Sequence, residues 1–195
     1  MEEIQMRAGP TFIVIGGSAG SLQVILRILT LLDHEFKTPI LIVLHRHVNA
    51  DSPLEELLSF RTTLISREVE EKDRITDGYI YICPADYHTL VEKDFSFSLD
   101  DSEKINFSRP SIDVVFRSAA DIYREKLLCV LLSGANADGA AGMKYAQELG
   151  GVTVVQDPAD AQVPYMPQQA LKMLNPDYVL ESSRIAALLN SKVVV

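Results

Sequence analysis

The residues best placed to do chemistry are Ser18, His45 and Asp138, each lying just beyond an apolar run. Ser18 stands in Gly16-Gly17-Ser18-Ala19-Gly20, a G-x-S-x-G spacing between the run Phe12-Ile13-Val14-Ile15 and the segment Leu22 to Leu29. In a strand–turn–helix setting such small neighbours permit a sharp bend that lifts a serine hydroxyl clear of a sheet. The same turn sets backbone N–H groups at a helix N-terminus, where negative charge is favoured. Hydroxyl, imidazole and carboxylate are together the parts of acyl transfer through serine. The hydroxyl attacks, the imidazole takes and returns its proton, and the carboxylate fixes the tautomer and stabilises the imidazolium. Their order along the chain is no obstacle, because such a triad is defined by geometry.

Rival chemistries fit the glycine-rich turn less well. A dinucleotide fingerprint needs glycine at its third and sixth positions, and counting from Gly16 these are Ser18 and Ser21. A phosphate-binding loop needs a terminal Gly-Lys-Ser/Thr, which is missing. On the motif alone, an ordinary strand–helix connection with an incidental serine stays open. Asp138 also fits as the N-cap of a helix starting after Gly139, and His45 as a strand-end histidine held by backbone. His45 and His47 form a metal-site fragment without a suitably spaced third ligand, so no metal is expected, and no cofactor. His34 and His88 read as loop or surface histidines.

These side chains need elements to position them. A strand over Thr11 to Ile15 precedes the turn, and Leu22, Ile25, Leu26, Leu29 and Leu32 give the following helix an apolar face. Ile40 to Leu44 is continuously apolar, as in a strand of a parallel sheet covered on both faces. Ser52 and Glu55, with Pro53 at the first helical position, predict a capped helix. Strands are expected at Thr62 to Val69 and Tyr79 to Cys83, then a hairpin of His88 to Glu92 and Phe95 to Leu99; this middle section reads as antiparallel. Ser111 caps a helix through Val114, Val115, Ala119 and Ile122, and Leu127 to Leu132 is another buried strand emptying into the loop that holds Asp138. A helix to Leu149 stops at Gly150-Gly151. A strand at Val152 to Val155, a helix from near Pro167, a short strand at Asp177 to Leu180 and a helix at Ser183 to Leu189 complete the chain. The alternation predicts an α/β protein: a mainly parallel, doubly wound sheet in three layers, α/β/α, with an antiparallel hairpin section in the middle. In such sheets, sites form at the carboxyl ends of the strands, where Ser18, His45 and Asp138 all fall.

At 195 residues, with 47% hydrophobic and 23% charged residues, the chain has the composition of one globular domain with a substantial core. Residues 1–10 are expected to be a disordered lead-in and 11–195 one catalytic domain. A net charge of −9 without a basic block argues against nucleic acid and anionic membrane as partners. No run reaches the length of a membrane span and none resembles a secretory signal; Cys83 and Cys129 sit inside strand-like runs as buried thiols. A cytoplasmic location follows.

The chain resembles the catalytic domain of the chemotaxis protein-glutamate methylesterase family, CheB. The matching stretches are Ile13 to Gly20, Val43-Leu44-His45, Gly78 to His88, Arg109 to Ser118, Leu132-Ser133-Gly134, Ala137 to Gly142, Gln156-Asp157 and Met166-Pro167. The resemblance implies hydrolysis of glutamate γ-methyl esters, with methanol released, on the cytoplasmic helices of methyl-accepting chemoreceptors; some members also deamidate receptor glutamines. It makes Ser18 the nucleophile, His45 the general base and acid, and Asp138 the histidine's orienting partner. The oxyanion is then expected at the backbone N–H of Ala135 and, by the logic of the elbow, of Ala19. Three positions depart from the family pattern and bear on the substrate cleft. Ala135-Asn136 replaces Met-Gly, Tyr165 replaces a glycine, and Met166 follows it. The receiver domain common in the family has no counterpart before the first strand, so the resemblance implies either a stand-alone, constitutively accessible enzyme or regulation by a separate chain. Two rivals remain: a methylesterase-like interaction module without turnover, and a small-molecule esterase or deamidase on the same scaffold.

Overall fold

The structure, a computed structural model, describes residues 7–46, 54–191 and 193–194. In chain order the elements begin with β1 (Arg7–Ala8), β2 (Phe12–Gly17), α1 (Ser21–Thr30), β3 (Ile40–Leu44), α2 (Leu54–Ser59), β4 (Ile65–Glu68) and β5 (Tyr79–Ile82). They continue with β6 (His88–Val91), β7 (Phe97–Asp100), α3 (Ile112–Tyr123), β8 (Leu127–Leu131), α4 (Ala140–Glu148), β9 (Val152–Gln156), α5 (Tyr165–Met173), β10 (Tyr178–Leu180), α6 (Ser182–Ser191) and β11 (Val193–Val194).

Seven strands form one sheet in the order β10-β9-β8-β2-β3-β5-β4, and every neighbouring pair is parallel. Parallel pairing with helical crossovers buries both faces of the sheet, which is why β2, β3 and β8 are apolar throughout rather than alternating. Successive residues therefore serve two cores. Phe12 and Val14 pack with α3, α4, α5 and the β6–β7 hairpin, whereas Ile13 and Ile15 pack with α1, α2 and α6.

The expected α/β/α architecture and the hairpin are present, with differences that have local causes. The β6–β7 hairpin is antiparallel, but β4 and β5 pair parallel inside the main sheet rather than joining an antiparallel section. The connection from Val69 to Gly78 is long enough to carry the chain back across the sheet, so Asp77-Gly78 leads into β5 instead of reversing it. Strand β2 runs on through Gly16 and Gly17, which pair with Val43 and Leu44. Helix α5 starts at Tyr165, ahead of Pro167; proline is accepted there because first-turn N–H groups have no helical partner. Within the stretch read as a disordered lead-in, Arg7–Ala8 pairs with Val193–Val194 as a second, two-stranded antiparallel sheet, which ties the two ends of the chain together. Ser52 and Pro53, read as a helix cap, and His47 lie outside the described residues.

Candidate active site

The central position of β2 decides where the site lies. Its flanking strands are β8 and β3, all parallel, so the chain leaves all three at the same edge: at Ser18, at His45 and into the 133–139 loop. Gly16 and Gly17 are required by proximity. A Cβ on Gly17 would come within 2.5 Å of Ser21 Cβ, and one on Gly16 would collide with Ile112 Cγ2. Gly20 closes the elbow at φ +80°, a left-handed conformation that glycine adopts without strain. The bend is tied down at both ends. Ser18 N–H donates to Ser133 O at 2.9 Å, and Ser21 Oγ donates to Ser18 O at 2.6 Å. Ser133 Oγ donates to Ala19 O at 2.7 Å.

His45 follows Leu44, the register partner of Gly17, and lies beside the elbow. Its Nε2 is 2.8 Å from Asp138 Oδ2. Asp138 is fully buried, yet its carboxylate meets a cluster of donors. Ser111 Oγ donates at 2.8 Å, Ile112 N–H at 2.6 Å, Asp113 N–H at 3.1 Å and Asn106 Nδ2 at 3.5 Å. Asp138 thus caps α3, not the helix that follows it, where Gly139 is the N-cap and no side chain caps. Ser111 occupies the N-cap position of α3 but spends its hydroxyl on Asp138 rather than on the helix. Burial pushes the Asp138 carboxyl upward, but hydrogen bonds from His45, Ile112, Asp113 and Ser111 outweigh it and hold the group below the ordinary 3.8. An ionised carboxylate at Nε2 accepts the Nε2–H hydrogen bond, which fixes the proton on that nitrogen and leaves Nδ1 with its lone pair.

Nδ1 faces Ser108 Oγ at 3.4 Å and Asn136 Nδ2 at 3.5 Å. Asn136 is oriented by its other end, since Oδ1 accepts the Asp138 N–H at 3.1 Å, and Nδ2 also donates to Ser108 Oγ at 3.3 Å. Ser18 and His45 share a cleft of about 250 Å³ with Arg46, Lys104, Phe107, Ser108 and Arg109. Two of its three cations have acidic partners: Arg46 pairs with Glu68, and Arg109 Nη2 meets Asp86 Oδ1 at 2.8 Å. A second buried carboxylate, Asp113, accepts from Gly142 N–H at 2.6 Å and from Asn106 Nδ2 at 3.0 Å. Its burial and the neighbouring Asp138 charge raise it above the ordinary 3.8.

The structure brings Ser18, His45 and Asp138 to one edge of the sheet, and Asn136 with them. Ala19 and Ala135 are exposed, and among the described residues neither backbone N–H has an acceptor. Met166, expected in the cleft, is fully buried; it packs under Gly134, where an added Cβ would lie 2.5 Å from Met166 Cε, and so supports the loop from beneath. Tyr165 is half-exposed at the start of α5 and is not among the residues lining the cleft. His88 is not a surface histidine. It is buried on β6, where Nδ1 accepts Ser111 N–H at 3.1 Å and Nε2 lies 3.1 Å from Glu103 O. Asn106, Ser108, Ser111 and Asp113 escaped the sequence reading as site residues because their roles come from a loop and a helix start folded onto Asp138. Among the described residues no group of three metal-binding side chains converges.

The family profile described as CheB methylesterase matches residues 13–189. A Leptospira interrogans relative is 44% identical over 90% of this chain and 91% of its own length. The protein-glutamate methylesterase/protein-glutamine glutaminase of Maricaulis maris is 33% identical over 82% of this chain, which spans 41% of that relative. The crystal structure of the Thermotoga maritima CheB methylesterase catalytic domain superposes with a TM-score of 0.88 at 30% identity, covering 93% of this chain and 98% of that one. With an elbow, a buried carboxylate–imidazole pair and a parallel sheet in this arrangement, the chain belongs to the CheB methylesterase family.

Proposed function

We propose that the chain is a serine hydrolase that cleaves γ-methyl esters of protein glutamate residues, on the cytoplasmic domain of methyl-accepting chemoreceptors. The observation that carries this reading is the His45–Asp138 pair, at 2.8 Å, set beside the exposed end of the Ser18 elbow in a shared cleft. Ser18 Oγ attacks the ester carbonyl and passes its proton to His45 Nδ1, while Asp138 retains Nε2–H and stabilises the imidazolium. The carbonyl oxygen, now negative, is received by the free N–H groups of Ala19 and Ala135. Collapse breaks the C–OCH3 bond, His45 returns the proton to the leaving oxygen, and methanol departs. Water, deprotonated by the same histidine, then attacks the acyl-serine; the bond to Ser18 Oγ breaks as His45 hands that proton to it, leaving the free serine and the glutamate carboxyl, which ionises. An amide in place of the ester would release ammonia, which is the glutaminase reaction named in the relatives.

In this reading residues 11–195 form a single catalytic domain working in the cytoplasm. The test is methanol release from a methylated receptor cytoplasmic fragment. Wild type releases methanol, and Ser18→Ala abolishes the release with an unchanged circular dichroism spectrum. Retained turnover in Ser18→Ala would sink the assignment; a folded wild type without turnover would favour an interaction module.

A further inference from the structure

The turn Ile105-Asn106-Phe107-Ser108 departs twice from what backbone and solvent favour. Ile105 and Ser108 are bridged antiparallel, with N–H to O distances of 3.2 and 2.9 Å in the two directions. The two residues between them are both left-handed, Asn106 at φ 52° and Phe107 at φ 63°. Two central residues with positive φ inside a bridged pair make a type I′ turn. Asparagine suits the first of these positions, but the second favours glycine, because a Cβ is crowded in the left-handed region. Here it carries phenylalanine, whose exposure is 99%. The protein thus holds an aromatic ring in solvent on a backbone conformation that disfavours it.

The surroundings enforce that conformation. Asn106 is anchored by Nδ2 to Asp113 Oδ2 at 3.0 Å and reaches Asp138 Oδ1 at 3.5 Å. Ser108 Oγ lies 3.4 Å from His45 Nδ1. Both neighbours of Phe107 are therefore fastened to the pair that activates Ser18, and Phe107 lines the same cleft as Ser18 and His45. Strain kept in place by such anchoring concentrates where a ligand is gripped.

We infer that Phe107 is a specificity-determining residue: its ring packs against an apolar side chain of the protein substrate, next to the esterified glutamate, and seats the ester over Ser18. This rests on the ester-hydrolase reading above. Burying an exposed aromatic gives a contact that a small ester cannot make. The polar anchors fix the backbone that carries the ring at the cleft it shares with Ser18, so the contact selects an ester borne on a folded surface.

Phe107→Gly is the informative variant, because glycine is what this turn position prefers. Two substrates are compared, the methylated receptor fragment and p-nitrophenyl acetate, with the thermal midpoint as a third measurement. The expected result is a midpoint equal to or above that of wild type. The ratio of kcat/KM for the fragment to kcat/KM for the small ester should fall about tenfold or more, mainly through KM, and Phe107→Leu should restore most of it. An unchanged ratio in Phe107→Gly overturns the proposal, as does Phe107→Leu behaving like Phe107→Gly. Failure of the underlying reading looks different: a folded wild type would lack Ser18-dependent turnover of either substrate, and both readings would fall together.

Discussion

Asp138 carries two duties that could be mistaken for one. It holds His45 Nε2, and it closes the N-terminus of α3 by accepting from Ile112 and Asp113 N–H groups. Each carboxylate oxygen is shared among donors, and the backbone N–H of Ile112 on Oδ2 and of Asp113 on Oδ1 cannot accept in return. Asp138→Asn therefore does more than weaken the histidine's orientation. An amide offers one accepting oxygen and turns an NH2 toward groups that also donate. We expect kcat to fall about 10³–10⁴-fold, and the unfolding free energy to drop by about 1–3 kcal/mol from buried donors left unpaired. Urea unfolding alongside ester turnover separates these effects, because Ser18→Ala should lose turnover without the stability loss. Equal stability of Asp138→Asn and wild type would refute the structural duty. The sequence made Asp138 legible as a loop carboxylate at a strand end, but not as the cap of α3. Local reasoning pairs a cap with the helix that follows it, whereas Ile112 lies 26 positions earlier in the chain. His88 was misread for a similar reason: what buries it is the start of α3, which no local pattern around His88 announces.

At the scale of elements, α3 is the piece that joins the elbow to the acid. Ile112 at its start fills the space over Gly16 and over Gly139, so one side chain spaces β2 from the loop that delivers Asp138. Gly16 has ordinary strand geometry, which makes steric proximity rather than φ the reason for glycine. Gly16→Ala should destabilise by about 1–3 kcal/mol through overpacking. Ile112→Ala should cost about 2–5 kcal/mol as a cavity. Because the new methyl enters the space that the second substitution vacates, the double variant should lose less than the sum of the two. Chemical denaturation of the four proteins measures this, and strict additivity would show that the contact does not govern the spacing. Strands and helices with strong apolar patterns, such as Ile40–Leu44 and α1, were readable with near-final boundaries because both faces of the sheet are covered. The pairing of β4 was not. Its exposed and half-buried residues are those of an edge strand, and nothing local distinguishes a parallel edge from one arm of a hairpin.

Over the whole molecule, the site imposes a signature on how stability depends on pH. The chain bears a net charge of −9, yet the start of α3 and the loop before α4 bring two buried carboxyls, Asp113 and Asp138, close enough that Asn106 Nδ2 contacts both. The two are displaced in opposite directions. Burial first, and then the Asp138 charge, raise Asp113 above 3.8, so the folded protein holds that proton after the unfolded chain has released it. The Asp113 contribution to stability is therefore complete below 3.8 and is lost as pH rises through the raised folded value. Asp138 behaves inversely: its hydrogen bonds overcome burial, and its contribution is present above 3.8 and lost as pH falls through the depressed folded value. Replacing Asp113 with asparagine removes the first effect and also relieves Asp138 of a like charge. Other carboxylates contribute equally to both proteins and cancel in the difference. The unfolding free energy of Asp113→Asn minus that of wild type should accordingly grow more favourable to the variant as pH rises above 3.8, and level off once Asp113 is ionised in the folded state. Urea titrations at a series of pH values, followed by far-ultraviolet circular dichroism because the chain has no tryptophan, give this difference directly. A difference independent of pH, or one that moves against the variant, would mean that Asp113 ionises in the folded protein as freely as it does in the unfolded chain.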